Sequence, residues 1–329
     1  MSEAPPPQKA VPEKAVAFLE KHGCLFQQPW WLDAVCVTPW RWSCAWVERG
    51  DEVAAAWPVP YKVILGRRVI EPPDWTAYLG PVLRPSVAKS AVRLGEEKDL
   101  ITELASKLPS FATFQQHFAP TSGNWLPLYW LGFRQTTHYT YVIPSGRDPE
   151  SCWKETRDNV RSDVRKAEKL VQVREGEDFQ RVIALHKLTL SRQAKTFGHS
   201  EALLSRLDAH CAARGRRKIL LAVDPEGREH AAVYLVWDDR TVYYLCGGGD
   251  PALRKSGAGS LLVWEAIKFA CASGRAFDFE GSMVEPIERF FRSFGAVQTP
   301  YFVIRKTASR GFSFARSMVR VLKRQWSDS

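Results

Sequence analysis

The segment that most constrains the fold is "TVYYLCGGGDPALRKSGAGSLLVWEAIKFACA", Thr241 to Ala272. An aromatic and β-branched run reads as a strand and ends in Gly247, Gly248 and Gly249. A bend follows, and Arg254-x-x-Gly257-x-Gly259 opens an apolar run with helical spacing. Strand, glycine turn and helix in that order imply an α/β chain. Glycines let the backbone turn tightly and bring amide N–H groups close to a ligand, while a helix start favours negative charge. Arg254 adds a charge-assisted bond to a phosphate oxygen. Cys246, Gly247, Arg254, Ser256, Gly257, Ala258, Gly259 and Ser260 are therefore the candidate anion-binding stretch; a plain flexible turn is the alternative. The stretch is not a dinucleotide-binding fingerprint, because the third glycine and the acidic residue closing the next strand at the usual distance are not evident. A P-loop is excluded by the lack of a Gly-Lys-Ser/Thr ending.

Elements alternate along the rest of the chain. The first half reads as a helix at "AVAFLEKHG", a helical segment at "FQQPWWLDAVC" and a hairpin turning at Gly50-Asp51. The loop "EPPDWTAYLGPVLRP", a helix at "EKDLITELASKL" and strands near "FATFQQHF" and "HYTYVIP" follow. The break from Pro144 to Ser151 is the expected boundary. Beyond it lie a charged helix "CWKETRDNVRSDVRKAEKL", two more helices and three strands. The glycine loop with its helix, a strand "RAFDFEGS", a helix at "PIERFFRSFG" and a last strand "PYFVIRK" complete the chain. "LYWLGFRQTTHYTYVIP" and "FFRSFGAVQTPYFVIRK" echo each other, which suggests two similar domains. The expected division is a leader at 1–14, domains at 15–146 and 147–308, and a tail at 309–329.

The seven cysteines are scattered without a CxxC pair, so neither a disulfide framework nor a zinc site is expected, and no metal is assigned. The Pro-rich start has no apolar signal-peptide core, and no run approaches the roughly 18 apolar residues of a membrane span. A cytoplasmic location is the expectation. From Arg305 onward seven basic residues face only Asp328, so this end carries more than half of the net charge of +10. Its amphipathic spacing (Phe314, Met318, Val321, Leu322) suits an anionic membrane surface, RNA, or docking on its own domain.

Three strands, R-x-x-G-x-G, a helix, a strand and a helix ending "FFRSFGA" resemble the GNAT acyltransferase superfamily. "TAYLGPVLRP", the charged helix and "FDFEGSMVEPIERFFRSFGA" make the chain similar to the FemAB-like branch over nearly its whole length. The resemblance implies two tandem GNAT-like domains, each a mixed twisted sheet flanked by helices. It also implies an acyltransferase that joins an acyl group to an amine, with the R-x-x-G-x-G loop on the pyrophosphate of coenzyme A. Acyl-CoA is then a cosubstrate and nothing is bound permanently; aminoacyl-tRNA is the alternative donor, as in peptidoglycan-precursor branching. One position departs from the family. Where relatives carry a proton-donating Tyr or Lys, four residues before Gly295, this chain has Phe291.

For a base, Asp278 and Glu280 alternate with Phe277 and Phe279, placing both carboxylates on one strand face. Structural pairing with Arg254, Arg275 or Arg289 is the competing reading, favoured for Asp278 and not for Glu280. Cys246 reads as a buried thiol rather than a nucleophile. Arg157, Arg161 and Arg165 recur every four residues, which suits a phosphorylated acceptor or tRNA as well as a solvated face. The resemblance adds an acceptor-phosphate role for Arg161 and Arg165, and places Trp75 and Tyr78 at a substrate cleft, against a packing role for Trp75. His186, Lys195 and His199 read mainly as structural. A catalytically silent binding protein remains the rival class, supported by Phe291.

Overall fold

The computed structural model describes residues 11–192, 198, 200–281, 283–308 and 311–312. It contains two compact units, one running up to His138 and resuming at Tyr301, the other spanning Tyr139–Pro300. The division falls inside two strands, just upstream of the Pro144–Ser151 segment in the first case.

The first unit opens with α1 (Glu13–His22) and α2 (Pro29–Val35), followed by β1 (Trp40–Arg49) and β2 (Glu52–Ile64). These two strands form the antiparallel hairpin, turning at Gly50 with φ 63°. β3 (Arg67–Ile70), β4 (Val82–Leu83), α3 (Ser90–Ser106), β5 (Thr113–His117) and α4 (Leu126–Trp130) complete it, and β6 (Arg134–Ile143) leaves it. β2 is buried from Val53 to Tyr61 because helices cover both of its faces. Phe18 and Leu19 of α1 pack with Val53 and Ala56, while Ile101 and Leu104 of α3 pack with Ala55, Trp57 and Val59. Such a strand shows no polar alternation, as expected of a doubly covered strand.

The second unit contains α5 (Pro149–Glu155), α6 (Asp158–Ala167), β7 (Gln172–Gly176), α7 (Phe179–Arg192), α8 (Glu201–Ala212), β8 (Arg217–Val223) and β9 (Glu229–Trp237). It continues with β10 (Thr241–Gly249), α9 (Ala258–Ala272), β11 (Ala276–Asp278) and α10 (Glu285–Arg292), and β12 (Val297–Thr307) leaves it. Within it the strands run β6-β11-β10-β9-β8-β7. All these pairs are antiparallel except β10–β11, which is parallel and so needs α9 as its crossover. α9 buries Leu261, Leu262, Val263, Trp264 and Ile267 against Ala231, Val233 and Leu235 of β9. At about 1.5–3 kcal/mol for each large apolar side chain removed from water, that face alone anchors the helix. α7 and α8 cover the opposite face, where Phe179 meets Tyr234 and the Tyr234 hydroxyl donates to Asp208.

The two echoing strands are exchanged between the units. β6 ends by pairing with β11, through Ile143 opposite Phe277, and β12 ends by pairing with β5, through Val303 opposite His117.

Three details differ from the expectations above. The charged helix is two helices, broken at Thr156, whose hydroxyl bonds to Cys152 O (2.9 Å) while Arg157 N donates to Ser293 O (2.9 Å). β7 is an additional edge strand of mostly exposed polar residues, invisible to a hydrophobic pattern. The strand at "RAFDFEGS" stops at Asp278, because Glu280 turns into the left-handed region at φ 58°. No helix among the described residues is long and apolar enough to cross a membrane. The expected amphipathic tail falls almost wholly outside the described residues.

Candidate active site

The site begins where two strands part. β11 pairs with β10 only from Thr241 to Tyr243, whereas β10 stays on β9 as far as Gly249. A bulge at Leu245 re-aims the strand between Tyr244 and Cys246. Asp250 N donates to His230 O (3.0 Å), so the backbone groups of even-numbered residues here point to β9. Those of Gly247 and Gly249 therefore point into the gap that β11 has vacated.

α7 closes part of that edge. Thr189 Oγ1 accepts from Gly249 N (2.9 Å) and its hydroxyl donates to Gly249 O (3.2 Å). His186 Nδ1 lies 2.8 Å from Gly247 O; a carbonyl only accepts, so Nδ1 carries the proton. Gly248 permits this approach, since a Cβ there would stand 2.4 Å from Leu185 O and His186 N. The Gly247 N–H has no hydrogen-bond partner among the described residues and faces the gap.

Glu280 sits at the gap's other side. Its Oε1 is buried with no hydrogen-bond partner among the described residues. Burial first, and then the charge of Asp278, push its carboxyl well above the usual range. Asp278 is committed elsewhere: its Oδ1 accepts from the Thr140 hydroxyl (2.5 Å) and from Glu280 N (2.8 Å). The expectation that both carboxylates lie on one strand face is corrected, because the strand stops at Asp278 and Glu280 has φ 58°. Asp278 fixes the turn that presents Glu280, which Gly281 completes at φ 72° against Tyr139 O. Cys246 is a buried thiol raised by burial and then by Glu280, a poor nucleophile.

The glycine loop forms a 3-10 turn at Arg254–Ser256 before α9. Gly257 has φ 81°, and a Cβ on it would stand 2.4 Å from Asp163 O of α6. Gly257 is thus required by packing whether or not a ligand binds. Gly259 faces open space, and its N–H and that of Ser260 belong to the unsatisfied first turn of the helix. Arg254 is exposed beside them, while Ser256, Ala258 and Ser260 are buried.

Arg161 and Arg165 stand on α6. Arg161 is tied to Asp158, and Arg165 stacks over Trp153 with its guanidinium 5.8 Å from the ring centroid. Trp75 and Tyr78 belong to the first unit. Tyr78 is a core residue, edge-on to Phe26 (5.7 Å) and Tyr301 (5.4 Å), rather than a cleft residue. Lys195 and His199 fall outside the described residues. Phe291 is buried against Phe279 (4.8 Å). A groove of about 600 Å³ between β8 and α9 includes none of the gap residues. Its lysines, Lys218 and Lys268, pair with Glu175 and Glu265 on its own wall.

Sequence reasoning missed Thr189 and Tyr244. The Tyr244 ring meets Phe291 at 5.8 Å, and a Cβ on Gly247 would stand 2.1 Å from its hydroxyl. Neither position carries a motif; the bulge that brings Tyr244 to the gap has no sequence signature.

Residues 154–292 match the family model described as an acetyltransferase (GNAT) domain. No curated protein matches the chain in sequence. Among solved structures, FemX is similar with a TM-score of 0.67 at 15% identity, covering 90% of this chain and 96% of that one. L-PGS from Bacillus licheniformis gives 0.54 at 12% identity, over 94% and 96% of the two chains. A tandem GNAT protein from the clavulanic acid biosynthesis pathway gives 0.51 at 11% identity, over 91% and 89%.

Proposed function

We propose that the protein is an acyltransferase that transfers an acyl group to an amine in the β10–β11 gap, a reading supported by the match of residues 154–292 to the GNAT acetyltransferase domain model and by the likeness of the fold to FemX. The observation that carries this reading is the buried, unpartnered Glu280 Oε1 facing a strand edge with a spare amide. The donor carbonyl lies in the gap with its oxygen toward Gly247 N–H, where negative charge develops as the amine attacks. Glu280 takes the proton from the attacking nitrogen, a task suited to a carboxylate made more basic by burial. Arg254 and the Gly259 and Ser260 amides bind a phosphate of the donor. Arg165, stacked on Trp153, is the better placed of the two helix arginines for an acceptor phosphate, since Arg161 is already held by Asp158.

The loop supports a coenzyme A thioester as donor. A specific observation favours aminoacyl-tRNA instead. An extended, amide-bearing pantetheine arm gains affinity by pairing with a strand edge, and His186 and Thr189 already occupy Gly247 O and Gly249 N–H. An aminoacyl ester needs no such pairing.

Calorimetric titration of acetyl-CoA, and filter binding of alanyl-tRNA across a salt series, separate the donors in wild type and Gly259→Glu. Gly259 is the position to change, since its side chain would enter open space and not α6. tRNA binding must weaken steeply with salt, because the release of counterions that drives it gains less at high salt. Consumption of neither donor with an amine present would refute acyl transfer and favour a silent binding protein.

A further inference from the structure

Phe291 leaves the leaving group without a proton donor at the position where relatives carry one. Tyr244 is the ring beside it, 5.8 Å away and tilted 67°. The Leu245 bulge shifts the strand by one residue, so that Tyr244 and Gly247 come to share a face. The phenol hydroxyl then lies against Gly247 Cα, so close that a Cβ there would stand 2.1 Å from it. Only glycine at 247 lets that hydroxyl reach the edge where the free amide points.

We propose that Tyr244 is the catalytic acid, its hydroxyl protonating the departing thiolate or alkoxide. This rests on the acyl-transfer reading above. Tyr244 packs with the cluster around Phe291, on the α9 face of the sheet. Glu280 lies close enough to Cys246 for its charge to act on that thiol, and Cys246 shares a face with Gly248, which abuts α7. Burial, with a smaller push from Cys246, raises the phenol's pKa, so it keeps its proton at neutral pH. The hydroxyl of this half-buried residue has no partner among the described residues to compete for it.

The step balances. The neutral amine attacks the carbonyl carbon and a C–N bond forms. One N–H proton passes to the Glu280 carboxylate, and the oxyanion rests on Gly247 N–H. On collapse the C–S or C–O bond breaks with its electron pair, and Tyr244 gives its proton to that sulfur or oxygen. The phenolate is reprotonated from the Glu280 carboxylic acid through water, so the net transfer is from amine to leaving group.

The test compares Tyr244→Phe with wild type on two donors bearing one acyl group. The first is acetyl-CoA or alanyl-tRNA, whichever wild type consumes. The second is the corresponding p-nitrophenyl ester, whose leaving group departs unprotonated. Hydroxylamine, neutral at pH 7, is the acceptor in both. The expected result is a loss of about 100-fold in kcat on the first donor and under about threefold on the second, in line with general acid catalysis. Equal rates on both donors, or an equal loss on both (the mark of an oxyanion or packing role), would overturn the inference and leave acyl transfer standing. Failure of wild type on both acetyl-CoA and alanyl-tRNA would overturn the two together. Loss of the fold is not at issue, because Phe keeps the ring on Phe291.

Discussion

Gly248→Ala is expected to loosen α7 from the strand edge. The added methyl would stand 2.4 Å from Leu185 C, Leu185 O and His186 N, all main-chain atoms that no rotamer change can move. Ordinary contact needs about a further ångström, so the helix must back away or β10 must bend. Overpacking of this kind costs about 1–3 kcal/mol. The displacement also strains the His186 bond to Gly247 O and the Thr189 bonds to Gly249, each contributing about 1 kcal/mol. A total of about 3 kcal/mol corresponds to a fall in Tm of roughly 6–12 °C for a unit of this size. Gly259→Ala is the matched control. Its methyl enters open space on a helix, where Ala is favoured over Gly by up to about 1 kcal/mol, so its Tm should hold or rise. Differential scanning fluorimetry reads both, and hydrogen exchange should localise the Gly248→Ala loss to α7. A Gly248→Ala protein that melts like wild type with α7 still protected would refute the packing argument and, with it, the claim that α7 seals the edge.

Glu280→Gln tests the raised carboxyl pKa through stability. A folded pKa above the unfolded one means that the native state holds the extra proton, so wild-type stability falls as pH rises from the ordinary carboxylate range through the raised value. Urea unfolding at pH 5 and pH 8 should show the variant gaining on wild type at the higher pH; parallel curves would contradict the assignment. Thr140→Val removes the donor to Asp278 and leaves that buried carboxylate short of a bond, at a cost of about 1–3 kcal/mol. It should also displace the Glu280 turn, lowering kcat more than it raises KM; a variant with unchanged stability and kcat would show that Asp278 does not hold the turn.

What the sequence revealed, and what it hid, follows from the range of the forces involved. The hairpin at Gly50-Asp51, the strands of "RKILLAVD" and "EHAAVYLVWDD" and the strand–glycine–helix run were legible, because local propensity and tertiary burial agree there. The break after α5 was not, since the bonds from Thr156 and Arg157 reach Phe294 and Ser293 just past α10, far away in sequence. Gly257 was singled out for an anion-binding loop, and what the structure shows for it is contact with Asp163 of α6. Glu280 was found from its spacing to Asp278, but the inequality of the two carboxylates depends on Thr140, which no pattern links to them. Tyr78 looked like a cleft residue because it lies on a Pro/Gly-punctuated loop; the loop nevertheless carries it into a core of aromatic rings.

The exchange of β6 and β12 has a consequence for biosynthesis. β5 waits for Val303–Thr307 of β12, the last strand among the described residues, so the amino-terminal unit cannot close its sheet until that strand has been made. β11 meets a β6 that was finished long before, so the unit built around the β10–β11 gap can complete first, although it is encoded second. A nascent chain stalled before β12 would expose the edge of β5 as a template for wrong pairing. The same lacing means that cutting the gene at Pro144–Ser151 separates each strand from the sheet it completes, so the halves are inseparable as folding modules despite their repeated design.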